Sequence, residues 1–140
     1  MQENNNILIA EDDSDDRLLL ETAFREAGVK VQLVFATNGV ELIKILTSDH
    51  APVYPRVILL DLNMPKKDGR EALKEIKQHP QLKKIPVIIF TTTKNEAEIR
   101  RCYELGANTY IVKPDSYADL VKVILHLENY WFETAVTSPR

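Results

Sequence analysis

Cysteine is almost absent from this chain: Cys102 is the only one, so no internal disulfide can form and the fold must rest on its core. With Glu98 and Leu105 at helical spacing around it, Cys102 reads as a packing residue rather than a nucleophile. Apolar runs long enough to span a bilayer are also missing, and the polar start, Gln2-Glu3-Asn4-Asn5-Asn6, has no signal-peptide pattern, so a cytoplasmic protein is expected. Excess positive charge is lacking too: the net charge is −3 with no dense Lys/Arg block, which argues against a nucleic-acid partner. No internal repeat or low-complexity linker interrupts the chain. What is present, 140 residues with 44% apolar and 28% charged side chains, suits one globular domain with a well-filled core.

Four consecutive apolar residues, Val57, Ile58, Leu59 and Leu60, run into Asp61, and the stretch stops at Pro65. A run without alternation suits a strand covered on both faces, as in a parallel sheet between helices. Residues 7–10 form a similar first strand. Residues 29–35 are β-rich with Val31, Leu33 and Phe35 alternating, residues 86–90 form a fourth strand with Thr91-Thr92-Thr93 as its polar exit, and residues 109–112 a fifth.

Amphipathic stretches separate these strands. The first helix is expected to be capped by Ser14, to carry Asp13, Asp15 and Asp16 as solvated acids near its positive end, and to bury Leu19, Leu20, Ala23, Phe24 and Ala27 before Gly28. The turn Thr37-Asn38-Gly39 opens a second helix carrying Val40, Ile43 and Leu46 beside Leu42 and Ile45. Residues 48–56, with Pro52 and Pro55, form a loop. A third helix opens at Asp68-Gly69, turns Ala72, Leu73 and Ile76 inward and closes before Pro80. The fourth spans residues 95–105 and ends at Gly106. In the fifth, Ser116 and Asp119 have capping-box spacing, Leu120, Val123, Ile124 and Leu127 are buried, and the pattern has room to run on to Trp131. Five strands alternating with five helices imply right-handed crossovers and a doubly wound α/β fold with a five-stranded parallel sheet. The domain is expected over residues 1–128, followed by an extension over residues 129–140.

In a parallel sheet all strand exits lie on one edge, so Glu11, Asp12, Asp61, Thr91 and Lys113 converge there. Taken alone, Asp61 reads better as a carboxylate capping the next turn; the matching exits reverse that reading. Three carboxylates brought together repel unless a cation compensates. Oxygen ligands with room for water suit Mg²⁺ better than a Ca²⁺ cage, and Lys113 adds the remaining positive charge. Such a site suits phosphoryl transfer: Asp61 acts as nucleophile on phosphorus to give an acyl phosphate, Mg²⁺ and Lys113 neutralise the transferred oxygens, and Thr91 donates a hydrogen bond to one of them.

Glu11-Asp12, Asp61 through Pro65, Lys67-Asp68-Gly69, Thr91 and Lys113-Pro114 together resemble the receiver domain of two-component response regulators over residues 6–128. The resemblance implies a flavodoxin-like sheet of order 2-1-3-4-5 and transfer from a sensor histidine kinase to Asp61. It implies Mg²⁺ bound by Asp12 and Asp61 directly, by Glu11 through water, and by the backbone carbonyl of Asn63. Thr91 and Tyr110 match a switch pair in which the hydroxyl moves toward the phosphoryl group and the ring turns inward. The Lys113–Pro114 bond is implied to be cis, aiming the lysine at the acids, although sequence alone gives cis only a minor share. A single-domain receiver with this extension is similar to the small response regulators paired with bacterial phytochrome kinases. Such a protein is not an enzyme beyond self-phosphorylation and self-dephosphorylation. With nothing after Arg140 to carry an output, it signals through protein contact at the face of the fourth helix, fifth strand and fifth helix, or serves as a phosphate sink or relay.

The main alternative is a Mg²⁺-dependent phosphatase of haloacid-dehalogenase type. That chemistry needs a second acid two residues after the nucleophile, where this chain has Asn63, and a cap domain is missing. A nucleotide-binding flavodoxin-like protein is a further option, but the first loop is acidic and lacks glycine, which is hostile to phosphate. Leu127, Tyr130, Trp131 and Phe132 are too apolar for a freely exposed terminus, and two readings stand: packing on their own domain, or a homodimer or kinase contact. His50, His79 and His126 lie outside the motif and read as surface or packing residues.

Overall fold

The structure, a computed structural model, describes residues 5–48 and 54–139. The loop expected over residues 48–56 falls partly, and His50 wholly, outside the described residues. Five parallel strands, β1 (Asn6–Ala10), β2 (Gln32–Ala36), β3 (Val57–Leu60), β4 (Val87–Thr91) and β5 (Thr109–Val112), form one sheet in the order β2-β1-β3-β4-β5. Five α-helices connect or follow them: α1 (Ser14–Glu26), α2 (Gly39–Thr47), α3 (Gly69–Gln78), α4 (Glu96–Glu104) and α5 (Tyr117–Leu127). The doubly wound α/β sheet is therefore as the sequence pattern implied, and its strand order as the family resemblance implied.

The alternation of side chains along each strand splits the core in two. Ile7, Ile9, Val57, Leu59, Ile88 and Phe90 face Leu20, Ala23 and Phe24 of α1 and Leu120, Ile124 and Leu127 of α5. Leu8, Ala10, Ile58, Leu60, Val87 and Ile89 face Leu42 and Leu46 of α2, Ala72, Leu73 and Ile76 of α3, and Cys102 of α4. Each buried Leu, Ile, Val or Phe among them contributes about 1.5–3 kcal/mol relative to exposure. Because both faces of β1, β3 and β4 are covered, their sequences read as unbroken apolar runs.

Several local expectations need correction. The N-cap of α1 is Asp13, not Ser14: its carboxylate accepts from the amides of Asp15 at 2.8 Å and Asp16 at 3.0 Å, a charged acceptor aimed at the first-turn donors. Leu19 is 44% exposed and Leu18 60%, while Leu20 packs inward, since three successive leucines step around the helix and one row meets the sheet. On α2, Val40 faces out and Leu42 takes the core position. Thr91 belongs to β4 itself, because its carbonyl accepts from Lys113 at 2.8 Å and prolongs the ladder with β5. The expected cap of α5 is found: Ser116 accepts from the Asp119 amide at 3.1 Å.

Glycine closes two helices in the left-handed region, Gly28 (φ 74°) after α1 and Gly106 (φ 109°) after α4. Cys102 is fully buried, and burial pushes its thiol pKa up, as suits a packing residue. His79 accepts from the amides of Gln81 at 3.0 Å and Leu82 at 3.2 Å, leading into a short 3-10 turn (Leu82–Lys84) before β4. Past α5 the chain stays wound as a π-helical turn (Glu128–Thr134), beyond the expected end at Trp131. Trp131 and Phe132 pack on the α1–α5 side of the core, with the Arg56 guanidinium 5.3 Å from the Phe132 ring centroid, whereas Tyr130 remains 54% exposed.

Candidate functional site

The site lies at the carboxyl edge of the sheet, where the sequence placed it. β1 and β3 are adjacent and in register, so the residues that follow them, Glu11 and Asp61, leave the sheet side by side. The Asp61 amide donates to the Ala10 carbonyl at 3.1 Å and the Glu11 amide to the Ala36 carbonyl at 2.9 Å, which fixes both backbones before their side chains project. Glu11, Asp12 and Asp61 each offer a carboxylate oxygen within 4.8 Å of the other two; Glu11 and Asp61 are buried and Asp12 is exposed.

Lys113 reaches across from the end of β5. Its Nζ lies 2.7 Å from Glu11 Oε1 and 3.1 Å from Asp61 Oδ2, with Asp16 Oδ2 farther off at 3.8 Å. This reach is made with a trans Lys113–Pro114 bond, since there is no cis peptide among the described residues, contrary to the cis geometry implied by resemblance. The trans form is the intrinsic preference of an X–Pro amide, and the four-carbon lysine stem spans to the acids without a cis bend. Burial works against the Lys113 charge, but the hydrogen bond it donates to Glu11 and the charges of Asp61 and Glu11 outweigh it and hold its pKa above the ordinary lysine value. Burial likewise dominates at Glu11, raising its pKa; Lys113 offsets part of this, Asp61 adds to it, and the Asp13 amide, donating to Glu11 Oε2 at 3.2 Å, helps the carboxylate.

The other expected members lie around this pair. Asn63 donates its amide to Asp61 Oδ1 at 3.3 Å, fixing the rotation of the carboxylate. Thr91 is fully buried at the end of β4, and its Oγ1 has no hydrogen-bond partner. Tyr110 lies half-buried on β5; its hydroxyl donates to the Thr93 carbonyl at 2.8 Å, and its amide donates to the Tyr103 hydroxyl at 3.1 Å. Leu19, Leu20, Phe90, Thr92 and Pro114 line a cleft beside Lys113 and Glu11.

Two contributors go beyond the sequence reading, which took Asp16 as a solvated acid and did not single out Arg17. Asp16 is close enough to extend the acid cluster toward Lys113, and Arg17 donates to the Glu11 carbonyl at 2.8 Å. The signal available was the capping pattern: an N-cap at Asp13 turns the first helical residues back over Glu11.

The donor set fits a hard dication. It consists of oxygen alone, it includes an exposed carboxylate through which waters can complete the coordination, and the buried Glu11–Asp61 pair has only one ammonium against several acids. A family model described as response regulator receiver domain matches residues 7–125. The chain belongs to that family.

Similar proteins agree with this membership. Response regulator Rcp1 of Synechocystis is 40% identical over 137 residues, spanning 95% of this chain and 92% of its own. The crystal structure of the Mn²⁺-bound form of Rcp1 superposes with a TM-score of 0.87 at 37% identity, covering 96% of this receiver and 99% of that chain. The phosphorylated cyanobacterial phytochrome response regulator RcpA matches with a TM-score of 0.88 at 36% identity over 98% of this receiver and all (100%) of that chain. This receiver is accordingly a response regulator of two-component signalling, with an acidic site suited to a divalent metal. The phosphatase alternative finds no support in these relatives, and Asn63 stands where its second acid would be needed. Among the described residues no helix is long and apolar enough to cross a membrane.

Proposed function

We propose that Asp61 is the phospho-acceptor of a switch driven by a cytoplasmic histidine kinase. The observation that carries the reading is the Lys113 ammonium, held between Glu11 at 2.7 Å and Asp61 at 3.1 Å on an edge that also bears Asp12 and the unpartnered hydroxyl of Thr91. In the reaction an Asp61 carboxylate oxygen attacks the phosphorus of a kinase phosphohistidine, the P–N bond breaks, and the imidazole leaves with the bonding pair. The product is an acyl phosphate. Asp12, Asp61 and the Asn63 carbonyl, with Glu11 beside them, would hold Mg²⁺, the proposed physiological ion, which would neutralise charge on the transferred oxygens. Lys113 turns from Asp61 to a phosphoryl oxygen, and Thr91 donates its free hydroxyl to another.

The switch follows from the residues after Thr91. Movement of Thr91 toward the phosphoryl group pulls on Thr93, whose carbonyl holds the Tyr110 hydroxyl, so the acceptor site and the α4–β5–α5 face respond together. A bacteriophytochrome-type kinase is the proposed donor, supported by the likeness to the cyanobacterial phytochrome response regulator RcpA, and turnover of other substrates is not part of the role. For the extension, residues 129–140, we propose a homodimer contact through the exposed Tyr130, alongside or instead of the α4–β5–α5 face.

The test is intact-mass measurement after incubation with Mg²⁺ and a small phosphodonor such as phosphoramidate. One phosphoryl group is expected on the native chain and none on Asp61→Asn; a label retained by that variant would overturn the assignment. Phosphotransfer profiling against a set of histidine kinases, phytochrome-type ones included, then identifies the donor.

A further inference from the structure

We infer that Gly39 is a positioning residue for the loop that carries Asp61 and Asn63, an inference that rests on the metal-assisted reading of that site. Gly39 opens α2 within the turn Thr37-Asn38-Gly39. Its backbone is not left-handed, for only Gly28 and Gly106 have positive φ among the glycines, so glycine is not required there for conformation. It is required for space. A Cβ at Gly39 would lie 2.1 Å from the Lys67 carbonyl oxygen and 2.8 Å from the Lys67 carbonyl carbon and Cβ, whereas ordinary contact begins at 3.4 Å.

The close approach makes a bond. The Gly39 amide, one of the first-turn donors that α2 cannot satisfy internally, donates to the Lys67 carbonyl at 3.0 Å. The ground under it is rigid: Asn38 accepts from the Glu41 amide at 2.8 Å, and the Glu41 carboxylate accepts in return from the Thr37 amide at 2.6 Å.

The far side of the loop is equally constrained. It starts at Asp61, passes Lys66 in the left-handed region (φ 65°), and is closed by the Gly69 amide donating to the Leu62 carbonyl at 2.9 Å. Gly69 itself sits so close that a Cβ would lie 2.3 Å from the Asp61 carbonyl oxygen. The loop is therefore a closed span with both feet beside Asp61 and its crown resting on Gly39. Any side chain at Gly39 lifts Lys67, and with both feet fixed the displacement is taken up by the residues between them, Asn63 included. Mg²⁺ demands near-ideal octahedral placement of its oxygens, and a shift of about 1 Å in a reacting constellation can cost on the order of a hundredfold.

Two measurements on the full chain test this, with Mg²⁺ alone as the probe. In calorimetric titration, Gly39→Ala is expected to bind Mg²⁺ about tenfold more weakly or worse, with native circular dichroism. Val40→Ala, its exposed neighbour, should bind as the native chain does. Affinity of Gly39→Ala within twofold of native would overturn the inference. The second measurement needs no variant: the Gly39 amide resonance of the native chain should shift when Mg²⁺ is added, while those of Gly28 and Gly106 stay fixed, and an unmoved Gly39 would also overturn it. If the native chain fails to bind Mg²⁺ at all, the reading of the site falls first, a result distinct from native binding that is indifferent to Gly39.

Discussion

The Thr91 hydroxyl is fully buried and makes no hydrogen bond, a condition that costs about 1–3 kcal/mol for a polar group. Lys113, at the same sheet edge, is the opposite case, a cation surrounded by carboxylates. The contrast gives a prediction with two signs. Thr91→Val should raise the unfolding free energy by about 1 kcal/mol in urea titrations, because it removes an orphaned polar atom, and it should slow phosphoryl uptake at Asp61. A variant that is both less stable and equally fast would show that the hydroxyl serves packing rather than transfer. That three acids, a lysine and a threonine meet at one edge was legible from the strand pattern and the residues that follow each strand. Their strain was not, because whether a hydroxyl finds a partner depends on what surrounds it in space.

Strands were easier to read than helix faces. A strand buried on both sides is apolar throughout, so β1, β3 and β4 announce themselves without any question of phase. A helix buries one stripe, and in Leu18-Leu19-Leu20 or Val40-Glu41-Leu42 composition does not say which residue meets the sheet. Lys77, in the last turn of α3, shows what such pattern reading misses. Its ammonium donates to the carbonyls of Lys83 at 3.1 Å and Ile85 at 2.8 Å and to Asn108 Oδ1 at 3.0 Å, tying the end of the helix to the approaches of β4 and β5. Burial lowers its pKa from 10.5 to about 8. Between those two values the unfolded chain holds the proton that the folded chain has released, so stability should rise as pH increases from about 8 toward 10.5, and the burial penalty is felt in full below that window. Denaturant titrations across that range should show the rise in the native chain and a flatter profile in Lys77→Met. A flat native profile would mean that the three acceptors offset burial.

For the molecule as a whole, the rule that parallel strands share an exit edge was enough to bring together residues as distant as Glu11 and Lys113. What the rule could not supply was contact between connections, such as the seat of Lys67 on Gly39, because loops approach one another only once the sheet exists. The extension divides in the same way: Trp131 and Phe132 turn to their own core, and Tyr130 is left outside. If Tyr130 and its surroundings hold a second copy, a chain ending at Glu128 should sediment at a lower association state than the full chain; an unchanged state would eliminate the extension as a dimer contact. The strand order has a further consequence, for the sequence in which the site comes apart. β1 and β3, which carry the acids, are paired on both sides, whereas β5, which carries Lys113, is paired on one side only, its outer Tyr110 amide protected by the Tyr103 phenol of α4. Native-state hydrogen exchange should therefore open β5 at a lower free energy than β1 and β3. In that partly opened form the acid cluster persists without its lysine, so loss of the internal counter-charge precedes loss of the cation-binding half.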